Sequence, residues 1–391
     1  MRFIKSWKLL SVCVFLPLLF PAPSLSQHYQ QTNLVSDIMG MAPVTDPNLK
    51  NPWGLTRAAP SPTLPNGSPF WVGNNNSGTS TLYDGHGNPF PPKQNGGPLV
   101  VIVPPPGFAP GTQSSPTGVV FNGSQDFQVA PGKPAIFLFA TEDGTISGWN
   151  PGANPPTTIT NAIRKVDNSD NGSANSAVYK GMTSAEIAGN RFLYVTNFRS
   201  ARVEVYDANF RRVHLGEDAF HAEEIPDGFA PFNVQNIGGT LFVTYAKQDA
   251  FKHDPVAGAG LGFVELFTPS GRHVGHLEHG DWFDAPWGVV WTTRDFGEFS
   301  NAILVGNFRS GWIAAFNGFT HKFIGFVKNP PNPQNPDGSI MTIDGIWSLT
   351  FANDGTAGLA NTLYFTAGIN NEFDGLFGTI TPVDGLDGDE E

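Results

Sequence analysis

The densest mixture of acid, base and imidazole in the chain is Tyr245-Ala246-Lys247-Gln248-Asp249-Ala250-Phe251-Lys252-His253-Asp254. Lys247, Asp249, His253 and Asp254 are the residue types that proton transfer or anion binding requires, a positioned imidazole or carboxylate near a cation. A solvated loop is the plainer account of the same composition. Gly258, Gly260 and Gly262 follow but do not make a phosphate loop, because no Lys-Ser or Lys-Thr comes after them and no helix opens there. Asp167, Ser169, Asn171 and Gly172 imitate the first half of a calcium loop, yet Val178 stands at the twelfth position where a bidentate Glu is needed. An EF-hand is therefore excluded. His273, His276 and His279 are spaced by three, which on a strand sends successive members to opposite faces, so one tetrahedral site cannot readily use all three. His279 with Asp281 and Asp284 is the easier grouping, and histidines that hold no metal are the expected outcome. No Gly-x-Ser-x-Gly elbow occurs, and the single cysteine, Cys13, lies near the N-terminus, so no catalytic nucleophile is assigned.

The elements that must position these residues come from a repeat. Six anchors share a turn, a small residue and a short apolar run, with the small residue at Gly54, Gly118, Gly181, Asn233, Gly288 and Ser348. The spacings are 64, 63, 52, 55 and 60 residues, and self-similarity at that period means an array of like units. Each anchor leads into further strand-like runs, such as Phe192 to Thr196 and Arg202 to Tyr206, bounded by Gly, Pro, Asn and Ser. Four strands in each of six units predict an all-β fold, a six-bladed β-propeller. The sixth unit stops one strand short, and Gln30 to Ser36, ahead of the first anchor, is expected to supply that strand and close the ring.

Strand alternation then brings the loop before each anchor and the loop between the second and third strands to one face. That face collects Trp53, Trp287 and Trp347 near the axis, Asn74, Asn197 and Asn307 at the ends of second strands, and Arg199 and Arg309 in a repeated Asn-Phe-Arg-Ser turn. The Lys247 to Asp254 loop emerges there too. An aromatic and amide cleft at the channel mouth is the expected binding site, with indole faces for flat or sugar-like ligands and amides for hydroxyls. Packing between blades and turn formation are the competing accounts of the same residues.

Residues 1–26 read as a secretory signal peptide: Arg2, Lys5 and Lys8 precede the apolar stretch Leu9 to Phe20, and Ser24-Leu25-Ser26 offers small residues for cleavage. The mature chain is expected to begin near Gln27, with the propeller over 27–383 and an acidic tail over 384–391. The predicted location is outside the cytoplasm, extracellular or periplasmic. The chain carries 22 basic and 34 acidic side chains, net −12; loss of the three leader cations leaves 19 basic groups and a net −15. Such a field disfavours nucleic acid and anionic lipid as partners. A monomer without membrane insertion is expected, whose partner is a small molecule, a glycan or an envelope protein.

The motifs Asn51-Pro52-Trp53-Gly54-Leu55, Ala230-Pro231-Phe232-Asn233-Val234-Gln235, Tyr245-Ala246-Lys247-Gln248-Asp249, Ala285-Pro286-Trp287-Gly288, Leu304-Val305-Gly306-Asn307-Phe308 and Leu363-Tyr364-Phe365-Thr366-Ala367-Gly368 carry a resemblance. The chain resembles an uncharacterised family of exported bacterial β-propellers, some of which end in a Pro-Glu-Pro sorting signal. The resemblance implies architecture and export but no activity, and this chain ends in acidic residues instead of the sorting signal. Six-bladed calcium-dependent lactonases are similar in architecture, which would make Asn74, Asn197, Asn233 and Asn307, with Asp227 or Asp344, channel ligands for calcium. The Glu-Gly-Pro motif of that group is replaced by Asn51-Pro52-Trp53. The reading reached is a binding or interaction module with no required cofactor. A calcium-dependent lactonase or esterase is its rival.

Overall fold

A computed structural model describes residues 28–92, 97–153, 160–293 and 295–383. The expected leader over 1–26 and the acidic tail over 384–391 lie outside the described residues. Five four-stranded antiparallel sheets and a sixth sheet of four antiparallel strands, extended at its edge by the short parallel strand Val44–Thr45, form a closed ring. From the axis outward, blade 1 comprises Pro52–Thr56, Phe70–Asn74, Thr79–Tyr83 and Val100–Ile102, and blade 2 comprises Pro116–Phe121, Phe137–Thr141, Thr145–Trp149 and Ile163–Asp167. Blade 3 holds Tyr179–Ile187, Asn190–Asn197, Arg202–Tyr206 and Arg212–Val213, and blade 4 holds Phe229–Ile237, Thr240–Lys247, Gly262–Phe267 and His273–His276. Blade 5 is built from Pro286–Trp291, Ala302–Asn307, Ile313–Asn317 and Phe323–Phe326. Blade 6 takes Ile346–Phe351, Leu363–Ala367 and Leu376–Val383 from the C-terminal end and His28–Ser36 from the N-terminal end.

This last pairing is the ring closure expected from the sequence. His28 pairs with Val383 and Ser36 with Leu376, antiparallel, with one irregularity between Asn33 and Val35. Tyr29 fixes the strand by wedging against Phe296 and Phe299 of the blade 5 loop, its hydroxyl donating to the Phe296 carbonyl at 3.0 Å and accepting from the Phe299 amide at 3.1 Å. No helix among the described residues is long and apolar enough to cross a membrane.

The second strands are apolar on both faces because both faces are covered, whereas the outermost strands are half-exposed. Six clusters fill the gaps between neighbouring blades, from Trp71, Val119 and Phe137 between blades 1 and 2 to Phe70, Tyr364 and Phe377 between blades 6 and 1. A seventh sits on the axis. The small-residue column has a packing cause. A Cβ on Gly118 would lie 2.5 Å from the Met182 amide nitrogen, and one on Gly54 would lie 2.7 Å from the Val119 amide nitrogen, so inner strands meet backbone to backbone. At the fourth anchor Asn233 replaces glycine and donates Nδ2 to the Trp287 carbonyl at 2.8 Å, joining blades 4 and 5.

Candidate functional site

Each blade has a register shift between its inner and second strands at the anchor, for example between Tyr179 and Gly181, Pro231 and Asn233, and Pro286 and Gly288. The same irregularity falls between Pro52 and Leu55, between Ile346 and Leu349, and opposite Phe139 to Thr141 in blade 2. A bulge gives one strand an extra residue and re-aims its side chain. The residues before the small column are Trp53, Thr117, Lys180, Phe232, Trp287 and Trp347. Trp53 and Trp347 stack with ring centres 3.6 Å apart, Phe308 stacks on the other side of Trp347 at 3.9 Å, and Trp287 and Phe232 pack edgewise or tilted around them. The channel is closed here by an aromatic plug. Beyond burial, each such pair contributes about 1 kcal/mol. Among the small-column residues the axis retains a cavity of about 20 Å³, room for one water.

One member of the ring is charged. The Lys180 side chain is only 1% exposed, and its ammonium lies 5.2 Å above the Trp53 ring and 5.9 Å from that of Phe198. It pairs with Glu142 from the blade 2 loop and, at 3.2 Å, with Asp254 from the blade 4 loop. Burial opposes its charge, but the two carboxylates outweigh it and hold the ammonium above its ordinary value. Asn75 of blade 1 donates to the other Glu142 oxygen at 2.8 Å. His253 Nδ1 lies 3.0 Å from the Asp254 carboxylate, and this hydrogen bond holds the imidazole above its ordinary value against burial and the Lys180 charge. Burial works against ionisation of Asp254, yet the His253 bond and the Lys180 charge push its carboxyl far below the usual range. Asn51 links the plug to blade 6, accepting from the Trp347 indole at 3.0 Å and donating to Glu372 at 2.9 Å. Burial, opposed by the Asn51 bond and reinforced by the Glu142 charge, raises the Glu372 carboxyl. The outcome is a charged floor over an aromatic plug, fed by all six blades. Beside it, between Glu142, Arg199 and His253, opens a cleft of about 170 Å³.

The face is the one expected. In every blade the loop after the second strand hydrogen-bonds to the residues ahead of the inner strand: Asn75 to Asn51, Glu142 to Ser115, Phe198 to Val178, Gln248 to Gly228, Phe308 to Ala285 and Gly368 to Gly345. Trp53, Trp287 and Trp347 gather on the axis, but they are buried against one another and present no stacking surface to a ligand. Asn74, Asn197 and Asn307 brace turns: Asn74 donates to Thr79 and Thr81, Asn197 accepts from the Val178 and Ser200 amides, and Asn307 accepts from the Asp284 amide at 3.0 Å. Arg199 donates to the Ser176 carbonyl at 3.0 Å, and Arg309 donates to the Pro255 carbonyl at 3.1 Å while lying over Phe308. Lys247 turns to the Asp227 carbonyl and the Phe229 ring, and Asp249 accepts from the His253 amide at 2.8 Å, shaping the loop. Of that loop, His253 and Asp254 alone reach the Lys180 cluster.

Asp167 is spent on Ser169, the Gly107 amide and Arg164. His279 stacks on Phe263 at 4.3 Å and lies 3.1 Å from the Gly260 carbonyl, and among the described residues its ring nitrogens do not converge with the Asp281 and Asp284 carboxylates. The expectation that His273 and His276 face opposite ways is also overturned. Opposite Leu266 and Phe267 the outer strand bulges at Val274, the alternation slips by one, and both histidines reach Glu265. Sequence reasoning missed Lys180, Glu142, Glu372, Asn51 and Asn75. A signal for the first was present: aligned one residue ahead of the small column, Lys180 is the single ion in a column of Trp, Thr and Phe.

No family model matches the chain. It is 28% identical over 355 residues to the uncharacterised protein R648 of Acanthamoeba polyphaga mimivirus, an alignment spanning 89% of this chain and 78% of that protein. It is 30% identical over 279 residues to the uncharacterised protein R640 of the same virus, across 69% of this chain and 48% of that one. These relatives correct the resemblance drawn from the motifs: they are viral proteins, not bacterial ones. Among solved structures, a streptogramin B lyase aligns with 93% of this chain and all of its own at a TM-score of 0.47 and 11% identity, and the nidogen/laminin complex aligns at 0.42 and 14%. The chain is a six-bladed β-propeller similar in sequence to uncharacterised mimivirus proteins.

Proposed function

We propose that the protein is a binding module whose ligand seats on the charged mouth formed by Glu142, His253, Asp254 and Glu372, in the cleft bordered by Arg199. The observation that carries this reading is Lys180. Five blades fill the axis with neutral side chains, so a sixth neutral residue would satisfy the plug, and burying an ammonium costs several kcal/mol per ion before its partners offset it. A cation at that position holds two carboxylates in fixed orientation at a surface cleft. Acceptor oxygens so arranged suit a ligand rich in donors, an amine or a polyol. Phe251 and Phe373, 82% and 73% exposed in the loops of blades 4 and 6, add apolar contact on the same face. Export remains part of the proposal, supported by the leader-like composition of residues 1–26.

The rival, a calcium-dependent hydrolase, draws on Glu142, His253 and Asp254, whose ligand atoms lie within 4.8 Å of one another. Two observations weigh against it: the Lys180 ammonium already sits between two of those carboxylates, and the amides expected to line the channel are engaged at strand ends. Titration calorimetry with polyamines, amino sugars and basic peptides tests the binding reading. Binding of one class, weakened at least about tenfold by Glu142→Gln and by Asp254→Asn, is expected from the loss of a charged contact. Equal affinity in both variants would remove the site, and stoichiometric calcium uptake abolished by Glu142→Gln would favour the hydrolase.

A further inference from the structure

On the outer half of blade 4, away from the mouth, Glu224, Glu265 and His276 each bring one ligand atom within 4.8 Å of the others. We propose that these three side chains bind a divalent transition metal of the zinc type, with His273 positioning the Glu265 carboxylate.

Glu265 supplies the argument's centre. It lies on the third strand, Gly262–Phe267, directly across from His276, and cross-strand partners share a face. Its side chain is 2% exposed. His273 Nε2 lies 2.6 Å from Oε2, while the second carboxylate oxygen has no hydrogen-bond partner among the described residues. Among the described residues no Lys or Arg pairs with it; the titratable groups around it are His273, His276 and a second carboxylate, Glu224. Glu265 is buried and Glu224 stands at its exposed edge, so the two carboxylates come together with no Lys or Arg ion pair between them among the described residues.

Glu224 arrives from the connector between blades 3 and 4, and its Oε2 lies 2.9 Å from His276 Nδ1. His276 and Glu224 are 43% and 59% exposed, which gives a metal a path in from solvent. The bulge at Val274 is what allows His273 to approach Glu265 from the same side as His276, in the arrangement where an outer imidazole orients a ligating carboxylate. Two carboxylate oxygens and one imidazole nitrogen suit zinc or manganese; calcium takes oxygen donors, so the imidazole selects against it. Three protein ligands leave a fourth position for water. The mouth differs in kind, since the Lys180 ammonium occupies the equivalent place there. A metal at blade 4 would staple the connector to the blade edge, so its binding free energy would add to stability.

The test is dialysis of chelator-stripped, untagged protein against zinc chloride with metal content by plasma mass spectrometry, and cobalt(II) as a spectroscopic probe. One zinc per chain, a visible cobalt band of tetrahedral intensity and a raised Tm are expected. His276→Ala and Glu224→Gln, both at exposed positions that spare the fold, should each weaken zinc binding at least about tenfold, and His273→Gln by about tenfold through the orientation of Glu265. The exposed His86→Ala should change nothing. Absence of stoichiometric zinc in the wild-type protein, unchanged affinity in His276→Ala, or calcium bound as tightly as zinc would each overturn the assignment.

Discussion

Glu142, Lys180, Asp254 and His253 form a chain of ion pairs of alternating charge. The pH dependence of stability follows from the directions of the shifts. His253 is held above its ordinary value, so its contribution is fully present below about 6.5 and fades as pH rises through its folded value. Asp254 is held low, so its contribution is present above about 3.9 and fades as pH falls. The groups facing the pair are Lys180, Glu142 and, at the loop backbone, Asp249. Between those limits the pair stabilises the mouth, and above them the His253 part is lost. Melting curves of the wild-type protein and His253→Gln between pH 5 and 9 check this: the Tm gap should narrow on the alkaline side, and a constant gap would show that the imidazole is not coupled to Asp254.

The recurring element is an inner strand with a bulge and a small residue. The bulge throws one side chain to the axis, and the small residue lets the next inner strand approach. Gly118 is the clearest case, because a Cβ there meets the Met182 amide nitrogen at 2.5 Å and the Gly181 carbonyl carbon at 3.0 Å, neither of which can swing away. Gly118→Val should therefore cost about 2–3 kcal/mol in chemical denaturation through overpacking. A variant within about 0.5 kcal/mol of wild type would mean that the inner strands are not in backbone contact. The anchors were legible in sequence because close backbone approach restricts residue type. The bulges were not, since no residue pattern marks them apart from the small residue itself, and without them the neighbouring column reads as interblade packing. The same limit hid the pairing of His273 with His276, because strict alternation forbids it and the slip at Val274 permits it.

At the scale of the whole molecule, closure decides stability. His28–Ser36 pairs along the length of Leu376–Val383 and buries Tyr29 between blades 5 and 6. Deleting residues 28–36 would expose the edge of Leu376–Val383 and open the gap where Tyr29 sits, so a Tm lower by several degrees and self-association on gel filtration are expected. A deletion variant that elutes and melts like the intact protein would show that the ring closes without its N-terminal strand. The sequence by itself determined the six-unit repeat, the closing strand and the face on which the loops meet, because strand periodicity, turn chemistry and close backbone packing each constrain residues near one another in the chain. Only the tertiary structure decided what lies on that face. It turned the three tryptophans inward on each other, spent the strand-end asparagines on turns, and gathered Lys180, Glu142 and Asp254 from three different blades. Ion pairs across 38 and 74 residues depend on how blades are arranged around an axis, and local sequence carries no record of that distance.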